Sequence, residues 1–255
     1  MKIKISLIAI VALAMFGCGN KTETTDTGKP ADPNKEVTLR ITGAKGDSFA
    51  FVNKMKVEAD PSSMVKPAEM NDAQFEAVKA QMGGPMSMTV EGKMTTVIDE
   101  VKDGNFMMTT TTSDVVATGE GVMKAQAEQL QKSENGKVEK ITRDARNKVI
   151  TGSAQDNPFA VEYPEKAIKV GDTWESDNAT AKTGKVKYKF VAIETIDGKE
   201  CAVIEMSFDS PEMKSATPAK LWIDIKTGTP VKAEGGFDMF QGGIKMKATF
   251  SMSRA

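Results

Sequence analysis

Ile244-Lys245-Met246-Lys247-Ala248-Thr249-Phe250-Ser251-Met252-Ser253 alternates an apolar residue with a polar one throughout. Successive side chains of an extended strand point to opposite faces, so this run is a strand with one face buried and the other in water. The same period recurs upstream. Val186-Tyr188-Phe190-Ala192 precedes the turn signal Asp197-Gly198, and Cys201 to Phe208 follows it. Leu221-Ile223-Ile225 leads into Thr227-Gly228, and Val231 to Phe240 runs on to Gly242-Gly243. A loop through Pro211 and Pro218 is expected between Phe208 and Leu221, because proline cannot donate to a sheet ladder. Short turns between such runs predict antiparallel neighbours. Phe190 to Ile193 is apolar on both faces, so part of the sheet is expected to be covered on both sides.

The first half reads similarly. Val37, Leu39 and Ile41 predict a strand, Gly43 to Asp47 its turn, and Phe49, Phe51, Met55 and Val57 the returning partner, together a half-buried hairpin. Asn71 with Gln74 three residues on predicts a capped helix start, with Phe75, Val78 and Met82 on one face and Gly83-Gly84-Pro85 as the stop. From Met86 the alternation passes Met88, Val90 and Met94, slips near Thr95-Thr96, where a bulge is expected, and continues as Val97 and Val101 to the turn Asp103-Gly104. Phe106 to Val116 is the returning strand. Val122, Met123, Gln126 and Leu130 predict a second short helix ended by Asn135-Gly136, and Val138 to Ile141 with Val149-Ile150 another hairpin.

Asn157 to Trp174, punctuated by proline and glycine, reads as a crossing between two similar halves, residues 37–156 and 157–255. Val97 to Met107 and Val191 to Cys201 carry a weak echo, each with a valine, an acidic stretch and an Asp-Gly turn, which either common ancestry or chance similarity of two hairpins explains. The expected fold class is α+β: a curved antiparallel sheet of about ten strands, as a half-barrel or two facing sheets, with two short helices. Residues 37–255 form the expected β-rich domain.

The N-terminal residues carry a different signal. Lys2 and Lys4 precede the run Ile5 to Phe16, in which only Ser6 is polar, and Gly17-Cys18 follows. That is an export-signal layout over residues 1–17, and its apolar run is shorter than the ~20 residues of a membrane span. Ala14-Met15-Phe16-Gly17-Cys18 resembles the lipobox of bacterial lipoproteins, matching at Gly17 and Cys18 and departing at Met15 and Phe16. The resemblance implies lipidation of Cys18 by palmitate-type acyl chains. Residues 19–36 are rich in Thr, Lys, Asp, Gly and Pro and cannot bury enough to offset their ordering entropy, so residues 18–36 read as the lipidated cysteine and a flexible tether.

Composition removes several chemistries. The chain has 255 residues and no histidine, which excludes Ser-His-Asp and Cys-His catalysis and His-ligated zinc. It has two cysteines, so a lipidated Cys18 leaves only Cys201 and no disulfide within the chain. Its 34 basic residues, two of them in the signal, stand against 35 acidic ones, which gives no basic excess for nucleic acid.

The compositional excess is methionine, 17 in all, with Met86, Met88, Met94, Met107 and Met108 clustered in one stretch. Flexible thioethers fill irregular cores, line adaptable apolar sites, or as soft ligands hold Cu(I), and the sequence leaves these three open. Met86-x-Met88 places both side chains on one strand face. Ser63-Met64-Val65-Lys66 matches a Ser-x-x-Lys string but lacks the accompanying motifs; Gly46-Asp47-Ser48 joins two strands rather than a strand to a helix; Asn178-Ala179-Thr180 is a bare sequon. None makes a catalytic site, and neither a metal nor a cofactor is expected.

Tyr163-Pro164-Glu165-Lys166, then Ile168-Lys169-Val170-Gly171-Asp172-Thr173-Trp174, and again Leu221-Trp222-Ile223-Asp224-Ile225-Lys226-Thr227-Gly228, resemble a group of bacterial envelope lipoproteins with a Pro…Val-Gly-Asp-x-Trp segment before a hairpin. Their general shape is similar to that of the lipoprotein-carrier family, which implies a curved sheet around an apolar concavity and brings no catalytic residues. Gly171 suits a tight turn and Trp174 a core-edge anchor.

The expected function is a membrane-anchored, non-enzymatic lipoprotein of the cell envelope, extracytoplasmic, facing the periplasm or the cell surface. Its partners are membrane lipid through the acyl anchor and an apolar ligand or another envelope protein, held in the curved sheet by residues the sequence does not name. A structural or assembly subunit without ligand is the alternative reading, and Met-based Cu(I) binding a further one.

Overall fold

The computed structural model describes residues 34–66, 70–152, 161–176, 185–208, 213–241 and 244–255. Eleven strands form one continuous sheet: β1 (Ser48–Ala59), β2 (Met86–Lys102), β3 (Asn105–Gly119), β4 (Val138–Asp144), β5 (Val149–Thr151), β6 (Thr173–Ser176), β7 (Val186–Ile196), β8 (Lys199–Phe208), β9 (Met213–Asp224), β10 (Pro230–Gln241) and β11 (Ile244–Arg254). Two helices accompany them, α1 (Asp72–Met82) and α2 (Met123–Glu134). The spatial order is β5-β4-β3-β2-β1-β11-β10-β9-β8-β7-β6, and neighbouring strands run antiparallel. The chain starts at the middle, meanders out to β5, crosses to β6 and meanders back until β11 pairs with β1. The sheet is curved and unclosed, which selects the half-barrel over two facing sheets.

Residue alternation sets which face is buried. In β11, Ile244, Met246, Ala248, Phe250 and Met252 are buried while Lys245, Lys247 and Thr249 are exposed, and β1 and β2 repeat the pattern beside it. One face therefore collects the core. The other carries ion pairs such as Lys54–Glu91 and Lys245–Asp238.

Both helices form where the sequence places them. Asn71 and Gln74 make the reciprocal capping box, and Gly83 ends α1. Helix α2 buries Met123, Ala127 and Leu130 against the sheet, and its Gln131 and Asn135 side chains accept hydrogen bonds from the Ala117 and Val115 amides, which β4 is too short to reach. That covers an otherwise open strand edge. Among the described residues no helix is long and apolar enough to cross a membrane.

Four sequence expectations change. Residues 37–41 do not pair with the segment after them, because β2 and β11 occupy both edges of β1. Val37 bridges Ile168 instead, and Val37, Leu39 and Ile41 are buried across the end of the sheet. Alternation reports one-sided burial, not the identity of the partner.

The bulge expected at Thr95-Thr96 is absent there. Register shifts occur at Glu91/Lys93 and Ile98/Glu100, and inward alternation runs on through Thr96 to Ile98. Thr96 is a buried polar residue, satisfied by Thr110 with oxygens 2.9 Å apart, and so imitates a slip. Val97 is half-buried and Val101 exposed.

Pro218 lies inside β9 rather than in a loop. Its missing N–H falls just past the Met206–Ala219 pair and opposite the shift between Glu234 and Gly236, the kind of position where a strand tolerates proline.

The two-sided apolar stretch near Phe190 has a local cover and no second layer among the described residues. A register shift between Phe190 and Ala192 turns Val191 and Ala192 to the convex side, where they join Cys201, Val203, Trp222 and Val231. Trp222 closes this small cluster, donating to Glu194 at 2.7 Å with the Lys232 ammonium 4.4 Å over its ring.

Candidate functional site

The register builds the concave face row by row. Met239, Met246, Ala59 and Met86 stand opposite one another across β10, β11, β1 and β2, followed by Phe237, Ala248, Val57 and Met88, then Gly235, Phe250, Met55 and Val90. Met82 of α1 and Met123 of α2 join the same core, as does Met206 of β8. Thioethers thus concentrate at the end where β1 finishes and β2 begins. The face is closely packed: Met94, the most exposed of its buried methionines, is 7 % exposed. Met86 and Met88 do share this face, in adjacent rows beside Ala59 and Val57. Among the described residues no cluster of Cys, Asp and Glu could hold a metal ion.

The opposite end is closed by two irregular segments, residues 34–42 and 161–172. Irregular backbone under a sheet needs donors for its carbonyls. Arginine supplies them. The chain has only four arginines among its 34 basic residues, and all four sit here. Arg40 donates to the carbonyls of Leu39, Pro164 and Glu165. Arg146 donates to the Tyr163 carbonyl and pairs with Glu162 and Glu165, both at 2.9 Å. Arg254 donates to the Pro230 carbonyl and the Thr229 hydroxyl. The planar fork of a guanidinium suits several acceptors at once.

Arg143 is the exception. It points inward from β4, paired with Phe106 and Val149, and is 9 % exposed. Among the described residues it makes one hydrogen bond, to the Asn147 carbonyl at 2.9 Å, and no ion pair. Burial pushes its guanidinium down to about 10, against the opposing influence of Tyr163 and Asp144. The Asp144 carboxylate is itself occupied by the amides of Arg146 and Lys148.

Residues 161–172 form a strap from the β4–β5 turn to β6 and β7. The Asn147 side chain donates to the Val161 carbonyl, and Tyr163 bonds backbone to backbone with Arg146. At the other edge Trp174 donates to the Glu162 carbonyl at 2.8 Å and stacks on Tyr188, ring centroids 5.3 Å apart. Burial raises the Tyr163 and Tyr188 phenols well above their ordinary value. The Gly171 amide bonds the Phe190 carbonyl, so Gly171 and Trp174 are the corner and the anchor their residue types suggest.

Other nominated residues fall apart from one another or from view. Ser63 donates to the Asp60 carbonyl while Lys66 pairs with Asp72, so the Ser-x-x-Lys string forms no dyad. Asp47 caps its own turn through the Ala44 amide. Cys201 is fully buried on the convex side, its thiol pushed up by burial to about 11. Cys18 and Asn178-Ala179-Thr180 lie outside the described residues. Residue spacing did not flag the arginine set; its one signal is the scarcity of arginine beside so much lysine.

No family model matches the chain, and no curated protein does. Among solved structures, it is similar to one described as lipid-protein interactions in lipovitellin, with a TM-score of 0.46 and 8% identity over 83% of this chain. The chain spans 25% of that lipovitellin chain, about a quarter of its length. It is also similar to the hypothetical lipoprotein YmcC from Escherichia coli (TM-score 0.29, 12% identity, 92% of this chain and 99% of that one). A DUF1329 family protein from Desulfovibrio piger follows (TM-score 0.17, 6% identity, 82% and 86%).

Proposed function

We propose that this chain is a lipid-anchored, non-enzymatic lipoprotein of the bacterial envelope whose curved sheet takes up an apolar or amphipathic ligand. The observation that carries the ligand part is the set of methionines gathered on one end of the concave face, from Met82, Met86 and Met88 to Met123, Met239 and Met246. Thioether side chains repack around different shapes at little cost, so a closed interior of this composition can admit an acyl chain. The anchor part rests on Gly17-Cys18 behind a short apolar run. Two acyl chains give stable membrane residence, and the tether would let the domain stand off the surface.

The close packing of the same face favours a second reading, a structural or assembly subunit whose core is full. Native mass spectrometry of wild-type protein extracted from its membrane separates the two: a lipid retained non-covalently, beyond the mass of the covalent anchor, supports uptake, and repeated recovery of protein carrying the anchor alone supports the scaffold. The anchor has its own test. Metabolic labelling with an alkynyl fatty acid should mark the wild type and not Cys18→Ala; labelling that survives the substitution removes lipidation at this residue.

A further inference from the structure

The four arginines at the strap end differ in how they are used. Among the described residues, Arg40, Arg146 and Arg254 each engage two or more acceptors, whereas Arg143, buried on the inner face of β4, engages one. No described acidic residue pairs with Arg143, although the chain has 35 of them, and a buried cation without a counter-ion is unfavourable. Arg146, three residues on, has Glu162 and Glu165. Around Arg143 stand Phe106, Ile141 and Tyr163, all buried, with the Tyr163 hydroxyl committed to the Gly228 carbonyl. Among the described residues the guanidinium therefore has N–H donors without a protein acceptor beside an apolar wall.

We infer that Arg143 is the counter-charge for the anionic head of an amphiphile, a carboxylate or phosphate carried on an acyl chain whose tail lies along the concave face. The planar fork accepts such an oxyanion through two parallel hydrogen bonds. This rests on the ligand-uptake reading above and adds to it the sign of the head group and the residue that reads it.

The test uses the processed chain from residue 18 onward carrying Cys18→Ala, and equilibrium dialysis with oleate, monoolein and acetate below their aggregation limits. Oleate should bind, monoolein more weakly, and acetate not measurably. Arg143→Met should lower oleate affinity tenfold or more and leave monoolein within twofold, with Arg143→Lys in between. The ligand-free Arg143→Met protein should melt at the same temperature as its parent or higher, since an uncompensated buried charge is gone. Unchanged oleate binding in Arg143→Met, an equal loss of oleate and monoolein, or a melting temperature lowered by several degrees would each overturn the assignment. The last would mark Arg143 as a prop for the Asn147 carbonyl. Acetate binding as tightly as oleate would make this a free-anion site and overturn the amphiphile. If neither oleate nor monoolein binds the parent chain, uptake itself fails, which is distinguishable from failure of the head-group assignment alone.

Discussion

The Tyr163 hydroxyl donates to the Gly228 carbonyl at 2.6 Å, joining positions 65 residues apart. Gly228 has φ +61, and a Cβ there would lie 2.0 Å from the Arg40 carbonyl oxygen, so the strap, the β9–β10 turn and the N-terminal segment meet without slack. Removing the hydroxyl leaves a buried acceptor short of its donor. Tyr163→Phe should therefore cost about 1–3 kcal/mol in urea unfolding. Gly228→Ala should cost more, because two backbones have to move apart. A Tyr163→Phe protein as stable as wild type would show that this bond contributes nothing net.

The chain has two tyrosines, and burial raises both phenols. A raised acid holds its proton longer when folded than when unfolded, so stability is intact below the unfolded value near 10 and falls as pH rises above it. Each such group contributes up to ~1.4 kcal/mol per pH unit. Cys201, pushed up to about 11, acts in the same direction from its ordinary value upward. Arg143, pushed down to about 10, acts oppositely above that pH and offsets part of the loss. Absorbance of tyrosinate near the ultraviolet edge should stay absent past pH 10 and appear together with the unfolding transition. Two tyrosines titrating freely near 10 in folded protein would contradict the burial.

Gly119 ends β3 directly under α2, where a Cβ would lie 2.6 Å from the Met123 carbonyl oxygen, a backbone atom that cannot swing aside. Gly119→Ala should lift the helix and cost about 1–3 kcal/mol, the scale of an overpacked core. Hydrogen exchange offers a local readout. The Val115 and Ala117 amides, bonded to Asn135 and Gln131 across that interface, should lose protection before the rest of the sheet.

Glu162 is 9 % and Arg146 29 % exposed at the side chain, and their ion pair ties the β4–β5 turn to the strap. Glu162→Gln should destabilise by roughly 1–3 kcal/mol, below the 3–5 of a fully buried pair because water screens the arginine side. In a cycle with Arg146→Met the two losses should be less than additive, and strict additivity would mean the pair is incidental. Trp174, whose indole donates to the Glu162 carbonyl, should shift its emission in the Glu162 variant.

Much of the fold was readable because a half-buried sheet writes its period into the sequence. Ile244 to Met252 predicts β11 residue for residue, and Asn71 with Gln74 predicts the capping box. The weak echo between residues 97–107 and 191–201 corresponds to two hairpin turns of the same kind, with Asp103 and Gly104 at φ 51 and 75 and Asp197 and Gly198 at φ 50 and 73. What the pattern could not carry was partnership. Residues 37–41 alternate as a strand does, yet pair elsewhere, since burial on one side follows equally from lying across the end of a sheet. Thr96 defeated the hydrophobic count because a paired threonine can face inward, and Pro218 because a bulge forgives a missing donor. The strap end was illegible for a different reason: Arg40, Arg143, Arg146 and Arg254 are scattered in sequence and brought together only by the topology.

The pairing of β1 with β11 has a kinetic side. Met55 faces Phe250, so the two central strands come from nearly opposite ends of the described chain, and both inner edges stay unpaired until β11 is available. Long-range antiparallel closure of this sort is slow, and exposed edges invite pairing with other chains. A polypeptide that must wait at its own middle keeps those edges open to other chains for as long as the seam takes to close.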